Sequence, residues 1–113
     1  QVDGNWYYLN DLGAMQTGWK FINGSWYHFD GLGKMSTRWI KENDTWYYLD
    51  GSGAMKTGWA KVGGTWYYLK GSGAMVTGWF QVGGKWYYAY SSGALAVSTT
   101  VDGYYVNANG EWV

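Results

Sequence analysis

Nine of the ten tryptophans in this 113-residue chain fall into two columns of period 20: Trp6, Trp26, Trp46, Trp66 and Trp86 in one, and Trp19, Trp39, Trp59 and Trp79 in the other. Columns of Met15, Met35, Met55 and Met75, and of Gly13, Gly33, Gly53, Gly73 and Gly93, run beside them. Indoles that recur next to tyrosines in Trp-Tyr-Tyr runs offer ring faces, and a ring face attracts an organic cation at about 0.5–2 kcal/mol, indole most strongly. A quaternary ammonium suits such walls because it donates no hydrogen bond and spreads its charge over methyl groups. The structural alternative is that the rings are cross-strand pairs stabilising a sheet by about 0.2–1 kcal/mol each. Pattern alone leaves these readings evenly matched.

Other chemistries fail for want of parts. There is no Cys and a single His28, so neither a metal-binding cluster nor a Ser-His-acid set can be assembled. No acidic position recurs: the column Asn10, Asp30, Asp50, Lys70, Tyr90 changes sign and chemistry, which removes a paired-carboxylate hydrolase. No cofactor is implied, and the chain reads as non-catalytic. Eight basic and eight acidic residues cancel, leaving no basic stripe for nucleic acid and no polycationic patch for an anionic membrane. The apolar runs fall far short of the roughly 20 residues of a membrane-spanning helix, so no membrane insertion is expected. The chain starts at Gln1 directly before a repeat motif, so it reads as a fragment of a longer protein.

The elements that must hold the rings follow from the punctuation of each 20-residue unit. Asp3-Gly4, Asn23-Gly24, Asn43-Asp44, Gly63-Gly64, Gly83-Gly84 and Asp102-Gly103 are pairs that tolerate positive φ at both central positions of a two-residue hairpin turn. Asp11-Leu12-Gly13, Gly31-Leu32-Gly33, Gly51-Ser52-Gly53, Gly71-Ser72-Gly73 and Ser91-Ser92-Gly93 read as loops between hairpins. The segments between them are aromatic and β-branched, and with no Pro in the chain the strands run uninterrupted. The fold class is therefore all-β: a β-solenoid of stacked two-stranded hairpins in which no unit buries its apolar face alone.

A turn at Gly63-Gly64 sets Trp59 opposite Tyr68 and Lys61 opposite Trp66. Side-chain alternation then gives Trp59, Lys61, Trp66 and Tyr68 one face, and Ala60, Val62, Thr65, Tyr67 and Leu69 the other. Lys41, Lys61 and Gln81 mark the tryptophan face as partly wet, whereas the second face is a conventional core.

The run Thr57-Gly58-Trp59-Ala60-Lys61-Val62-Gly63-Gly64-Thr65-Trp66-Tyr67-Tyr68-Leu69, followed by Gly73-Ala74-Met75, resembles the choline-binding repeat of Gram-positive surface proteins, and the likeness covers essentially the whole chain. The ending from Ser92 to Val113 is similar to the tail of pneumococcal choline-binding surface proteins. The resemblance implies one module over 1–113: a partial repeat at 1–15, repeats at 16–35, 36–55, 56–75 and 76–95, and a divergent cap at 96–113. It implies choline held by two Trp of one repeat, the second Tyr of the next Trp-Tyr-Tyr and a Met. On this chain those are Trp19, Trp26, Met35 and Tyr48; then Trp39, Trp46, Met55 and Tyr68; then Trp59, Trp66, Met75 and Tyr88. A fourth site would combine Trp79 and Trp86 with Tyr105. The implied partner is phosphocholine on teichoic and lipoteichoic acids, the implied location is the outer cell surface, and the implied role is to anchor a larger protein there.

Several positions depart from the repeat. Trp6 lacks a Gly-Trp partner, and His28 replaces the Tyr that would complete its cage. Arg38 stands where Gly18, Gly58 and Gly78 stand, and a solvated Arg is simpler than one that distorts neighbouring Trp39. Isolated His28 reads as a tyrosine substitute. Related aromatic repeats occur in glucan-binding proteins, so a carbohydrate-binding module is the alternative, and the sequence leaves open a homodimer through the terminal hairpin.

Overall fold

The computed structural model describes residues 4–9 and 12–113. Asp3 of the first expected turn, together with Asn10 and Asp11 near the first expected loop, lies outside them. The chain divides into two compact units, Gln1–Lys56 and Thr57–Val113.

Among the described residues the structure is all-β, built of antiparallel two-stranded hairpins. The first unit holds β1 (Gly18–Ile22) with β2 (Ser25–Phe29), and β3 (Arg38–Glu42) with β4 (Thr45–Leu49). The second holds β5 (Gly58–Val62) with β6 (Thr65–Leu69), β7 (Gly78–Val82) with β8 (Lys85–Ala89), and the shorter β9 (Thr99–Val101) with β10 (Tyr104–Val106). Both central residues of each described turn have positive φ, for example 52° and 63° at Asn43-Asp44 and 58° and 84° at Gly63-Gly64. That backbone matches the right-handed twist of the strands it joins and fixes their register. Trp59 faces Tyr68, Ala60 faces Tyr67 and Lys61 faces Trp66, as the turn arithmetic requires.

After its second strand each hairpin folds back through a loop closed by one bridge, such as Phe29 to Met35, Leu69 to Met75 or Val106 to Trp112. The bridging residue then ties its hairpin to the one before. In the first unit the Met35 N–H donates to the Trp6 carbonyl at 2.7 Å and that of Met55 to Trp26 at 2.8 Å. In the second, Leu95 donates to Trp66 at 2.9 Å and Trp112 to Trp86 at 2.8 Å. A lone two-stranded hairpin is marginal in water, so these ties and the ring contacts beside them supply what each hairpin lacks.

The core is the column that ends each second strand: Phe29, Leu49, Leu69, Ala89 and Val106 are all buried. Gly53 and Gly93 lie under the thioethers of Met35 and Met75, where any Cβ would collide with sulfur. The loop acids have a local role. A carboxylate oxygen of Asp30 accepts from the N–H groups of Leu32 and Lys34, and one of Asp50 from those of Ser52 and Ala54. The Ser52 hydroxyl holds the Asp50 carboxyl below its ordinary range; burial opposes this, and the Ala54 and Ser52 amides and the Lys56 charge assist.

Arg38 is exposed and adopts φ 66°, the left-handed geometry that Gly18, Gly58 and Gly78 adopt at 76–78°. A residue with a Cβ loses about 1–2 kcal/mol there, so Arg38→Gly is expected to raise stability by about 1 kcal/mol in denaturant unfolding; an unchanged or lower midpoint would contradict the strain. Because Asp50 is depressed, its stabilising contribution is present above the unfolded pKa and is lost as pH falls through the folded one. NMR titration of its carboxyl carbon is expected to give a midpoint below about 3.9, the ordinary aspartate value.

Candidate functional site

Each hairpin has two unlike faces, and stacking within the second unit joins the front of one hairpin to the back of the next. Trp59 and Tyr68, on the front of β5–β6, meet Phe80 and Tyr87, on the back of β7–β8. The ring centroids are 4.9 Å apart for Trp59 and Tyr87, 5.8 Å for Trp59 and Phe80, and 5.4 Å for Tyr68 and Phe80. Edge-to-face and offset contacts of this kind add about 0.5–1.5 kcal/mol each beyond the area they bury. They hold Trp59 upright and leave Trp66 at its side, 6.4 Å away and nearly perpendicular. The result is an open cavity of about 330 Å³ lined by Trp59, Trp66, Tyr87 and Leu95, together with Val97, Ala108 and Asn109.

Of the third set that the repeat implies, two members line this cavity. Trp59 and Trp66 come together, but Tyr87 faces them, while Tyr88 packs on Trp79 of its own hairpin at 5.1 Å. The physical reason is front-to-back stacking: the next hairpin turns its back face to the cavity, and alternation puts the first Tyr of Trp-Tyr-Tyr on that face. Leu95 stands where Met75 was expected, because the bridging residue joins the hairpin before its own, and Met75 lies over Gly93 instead.

The same shift occurs elsewhere. Trp19 faces Tyr47 at 5.2 Å, while Tyr48 packs on Trp39 at 5.0 Å. Met55 is tied to Trp26, and Met35 to Trp6. Of the second expected set, Trp39 and Trp46 lie 6.4 Å apart at 87° in the first unit, and Tyr68 packs on Trp59 at 5.0 Å in the second. At the last hairpin Tyr104 reaches Trp79 at 5.9 Å, while Tyr105 pairs with Thr100. Trp79, Trp86, Tyr104 and Trp112 line a cavity of about 230 Å³.

Charges near the rings differ from site to site. The Trp19 indole donates to Glu42 at 3.1 Å, and the Trp79 indole to Asp102 at 3.2 Å. His28 sits across from Trp19 at 5.0 Å, as Tyr48, Tyr68 and Tyr88 sit across from their tryptophans, and its ring bonds Ser36 and Glu42. Lys41 and Lys61 place their ammonium groups 5.9 Å from the ring centroids of Trp46 and Trp66. Burial, with the nearby charge of Glu111 second, pushes the Tyr87 phenol above its ordinary range, so this wall stays neutral. Among the described residues no group of three His, Cys, Asp or Glu could hold a metal. The arrangement can surround an apolar cation with ring faces.

Sequence reasoning missed Tyr87, Tyr104, Leu95 and Trp112 as lining residues, Tyr47 as the ring that faces Trp19, and Glu42 and Asp102 as indole partners. A usable signal existed for the last two: each stands 23 positions after its tryptophan, where Trp59 has Val82.

The choline-binding repeat family matches residues 16–57 and 56–99, and the putative cell wall binding repeat matches residues 1–15. No curated protein matches the chain. Among solved structures, choline binding protein F of Streptococcus pneumoniae is 63% identical with a TM-score of 0.96, covering 100% of this chain and 39% of that one. CbpJ of Streptococcus pneumoniae TIGR4 is 51% identical with a TM-score of 0.75, over 98% of this chain and 46% of that one. A cell wall endolysin from phage Cp-1, solved complexed with choline, is 37% identical with a TM-score of 0.64, over 96% and 37%. The chain thus spans less than half the length of each.

Two variants test the geometry with tetramethylammonium as probe, read from the Trp59 and Trp66 indole resonances. Tyr87→Ala is expected to weaken binding about tenfold, the equivalent of one ring face. Lys61→Gln, which installs the residue found at Gln81, is expected to tighten it about threefold, because two unit charges some 6 Å apart in water repel by about 0.7 kcal/mol. Indifference to both changes would remove the site.

Proposed function

This chain belongs to the choline-binding repeat family, and from that premise we propose that it is a non-catalytic module holding a larger protein on the bacterial cell wall through phosphocholine groups of teichoic and lipoteichoic acids. The observation that carries the reading is the aromatic cavity of Trp59, Trp66 and Tyr87, whose walls are ring faces and whose fourth side is the apolar Leu95. A trimethylammonium group fills such a space without leaving a donor unpaired, which an ammonium with N–H groups could not do. The equivalent set in the first unit is Trp19, Trp26, Tyr47 and Met55.

A cage worth roughly 4 kcal/mol binds free choline at about millimolar concentration. Several such cages meeting a polymer with many choline groups hold far more tightly than one, because each bound site raises the effective concentration at the next. Weak single sites and firm retention are therefore compatible, and free choline at millimolar concentration is expected to release the protein.

The relatives support the wall as the target: one was crystallised in the presence of a peptidoglycan analogue and another is a phage endolysin complexed with choline. The carbohydrate alternative needs polar side chains that fix hydroxyl groups, and the cavity of Trp59, Trp66 and Tyr87 offers one, Asn109. Calorimetric titration and tryptophan fluorescence decide between them. Choline is expected to saturate the chain in the millimolar range and to elute it from choline-bearing lipoteichoic acid, while dextran leaves both signals unchanged. Saturation by dextran without a response to choline would overturn the reading.

A further inference from the structure

A two-stranded hairpin has two outer edges, and in the β7–β8 hairpin they are used differently. On the β8 side the Trp86 carbonyl accepts from the Trp112 N–H at 2.8 Å, and the Tyr88 carbonyl from the Ala96 N–H at 2.9 Å. These two residues therefore turn their backbone groups out of the hairpin. Their cross-strand partners, Gln81 and Trp79, do the same on the β7 side, because residues directly opposite in an antiparallel pair either bond each other or both face outward. Among the described residues no backbone group from outside the hairpin meets either one. The N–H and C=O groups of Trp79 and Gln81 thus form a row of unpaired donors and acceptors, the template on which another strand pairs.

Three features set this edge apart. Edges are ordinarily blunted by a charged side chain or a Pro; β1, β3 and β5 carry Lys20, Lys41 and Lys61, whereas β7 reads Gly-Trp-Phe-Gln-Val and carries no charge. A cavity of about 450 Å³, larger than either aromatic cavity, is lined by Trp79, Phe80 and Gln81 of β7 together with Tyr68, Lys70 and Thr77. Successive strand residues point to opposite faces, so a space that touches all three β7 residues runs along the edge rather than over one face. Lys70, finally, stands in the column of Asp30 and Asp50. Those acids turn their carboxylates into their own loops, but an ammonium cannot accept a loop N–H, and the Ala74 N–H donates to the Ser72 hydroxyl at 3.4 Å instead. Among the described residues the one ion pair is His28 with Glu42, so exposed Lys70 brings an unmatched positive charge to the groove.

We infer that the open edge of β7 is a peptide-binding site, which takes an extended acidic segment of another polypeptide as an added strand. The guest backbone bonds the N–H and C=O groups of Trp79 and Gln81, and a carboxylate side chain of the guest meets Lys70. Donors and acceptors that recur every second residue match an extended chain and no other, which is why the partner is a peptide and not a sugar stacked on Trp79. Alternate guest side chains fall to opposite faces, one set beside Trp79 and Gln81 and the other beside Phe80 and Tyr68. The site stands whether or not the aromatic cavities take choline.

The test is a titration of the full chain with the blocked peptide acetyl-Val-Glu-Val-Glu-Val-amide, followed through the backbone amide resonances. Without peptide, the Trp79 and Gln81 N–H groups are expected to exchange rapidly with water while the inward-facing Phe80 N–H exchanges slowly. Peptide is expected to move the Trp79 and Gln81 amides downfield and slow their exchange, with a midpoint at about millimolar, which two N–H and two C=O groups of ordinary net strength give. Gln81→Pro deletes one outward N–H where an edge strand tolerates Pro, and is expected to weaken binding about fivefold or more, with an unmoved Tyr87 amide showing that the hairpin is intact. Lys70→Asp, which copies Asp50, replaces an attraction by a repulsion; it is expected to weaken the peptide about tenfold and to make acetyl-Val-Lys-Val-Lys-Val-amide the better ligand. Trp79 and Gln81 amides that ignore the acidic peptide, or a Lys70→Asp chain that binds it as well as before, would overturn the inference. So would the same amides answering to dextran in place of peptide, or shifting only as the chain itself is concentrated, which would make the occupant a sugar or a second copy.

Discussion

A two-stranded hairpin cannot cover its own faces, and that constraint organises everything else in this chain. Each of the two units meets it by laying hairpins front to back, with a backbone bond from the bridging residue to the carbonyl of an earlier tryptophan at every step. Because front meets back, unlike surfaces touch. The tryptophan face of one hairpin receives the first tyrosine of the next, and the contact is edge-to-face at about 5 Å. Perpendicular rings leave a corner between them, and the second tryptophan stands beside that corner half in solvent. The same packing that completes the fold therefore creates concave aromatic surfaces.

What distinguishes one corner from another is the charge placed at its edge. Glu42 and Asp102 accept from the indoles of Trp19 and Trp79, while Lys41 and Lys61 lie over Trp46 and Trp66. The chain as a whole is neutral, and its local fields are not. A repeat that looks uniform in its aromatic columns thus carries unlike charges beside its rings, set by residues that do not repeat.

Much of this was legible in the sequence because period and turn chemistry over-determine it. Pairs such as Asn43-Asp44 and Gly63-Gly64 could only be turns with positive φ, and they fixed strand register to the residue. His28 was readable as a tyrosine stand-in because its column is otherwise tyrosine, and it packs on Trp19 as one. The third wall was not legible. Alternation separates Tyr87 from Tyr88, but nothing in a single hairpin says which face the next one presents, and Tyr88 entered only as what the resemblance implies. The terminal hairpin breaks the count for another reason: its strands are three residues long rather than five, so counting from the turn puts Val106 in the place of Tyr87, while counting back from the bridge puts Tyr104 there.

The account's central claim is that choline binds where the front of one hairpin meets the back of the next. A crystal structure of the chain soaked in choline tests it most directly. The account predicts trimethylammonium density within about 6 Å of the ring centroids of Trp59, Trp66 and Tyr87, against Leu95. Density beside Tyr88 and Met75 instead, or rings closed on one another with no ligand between them, would contradict it.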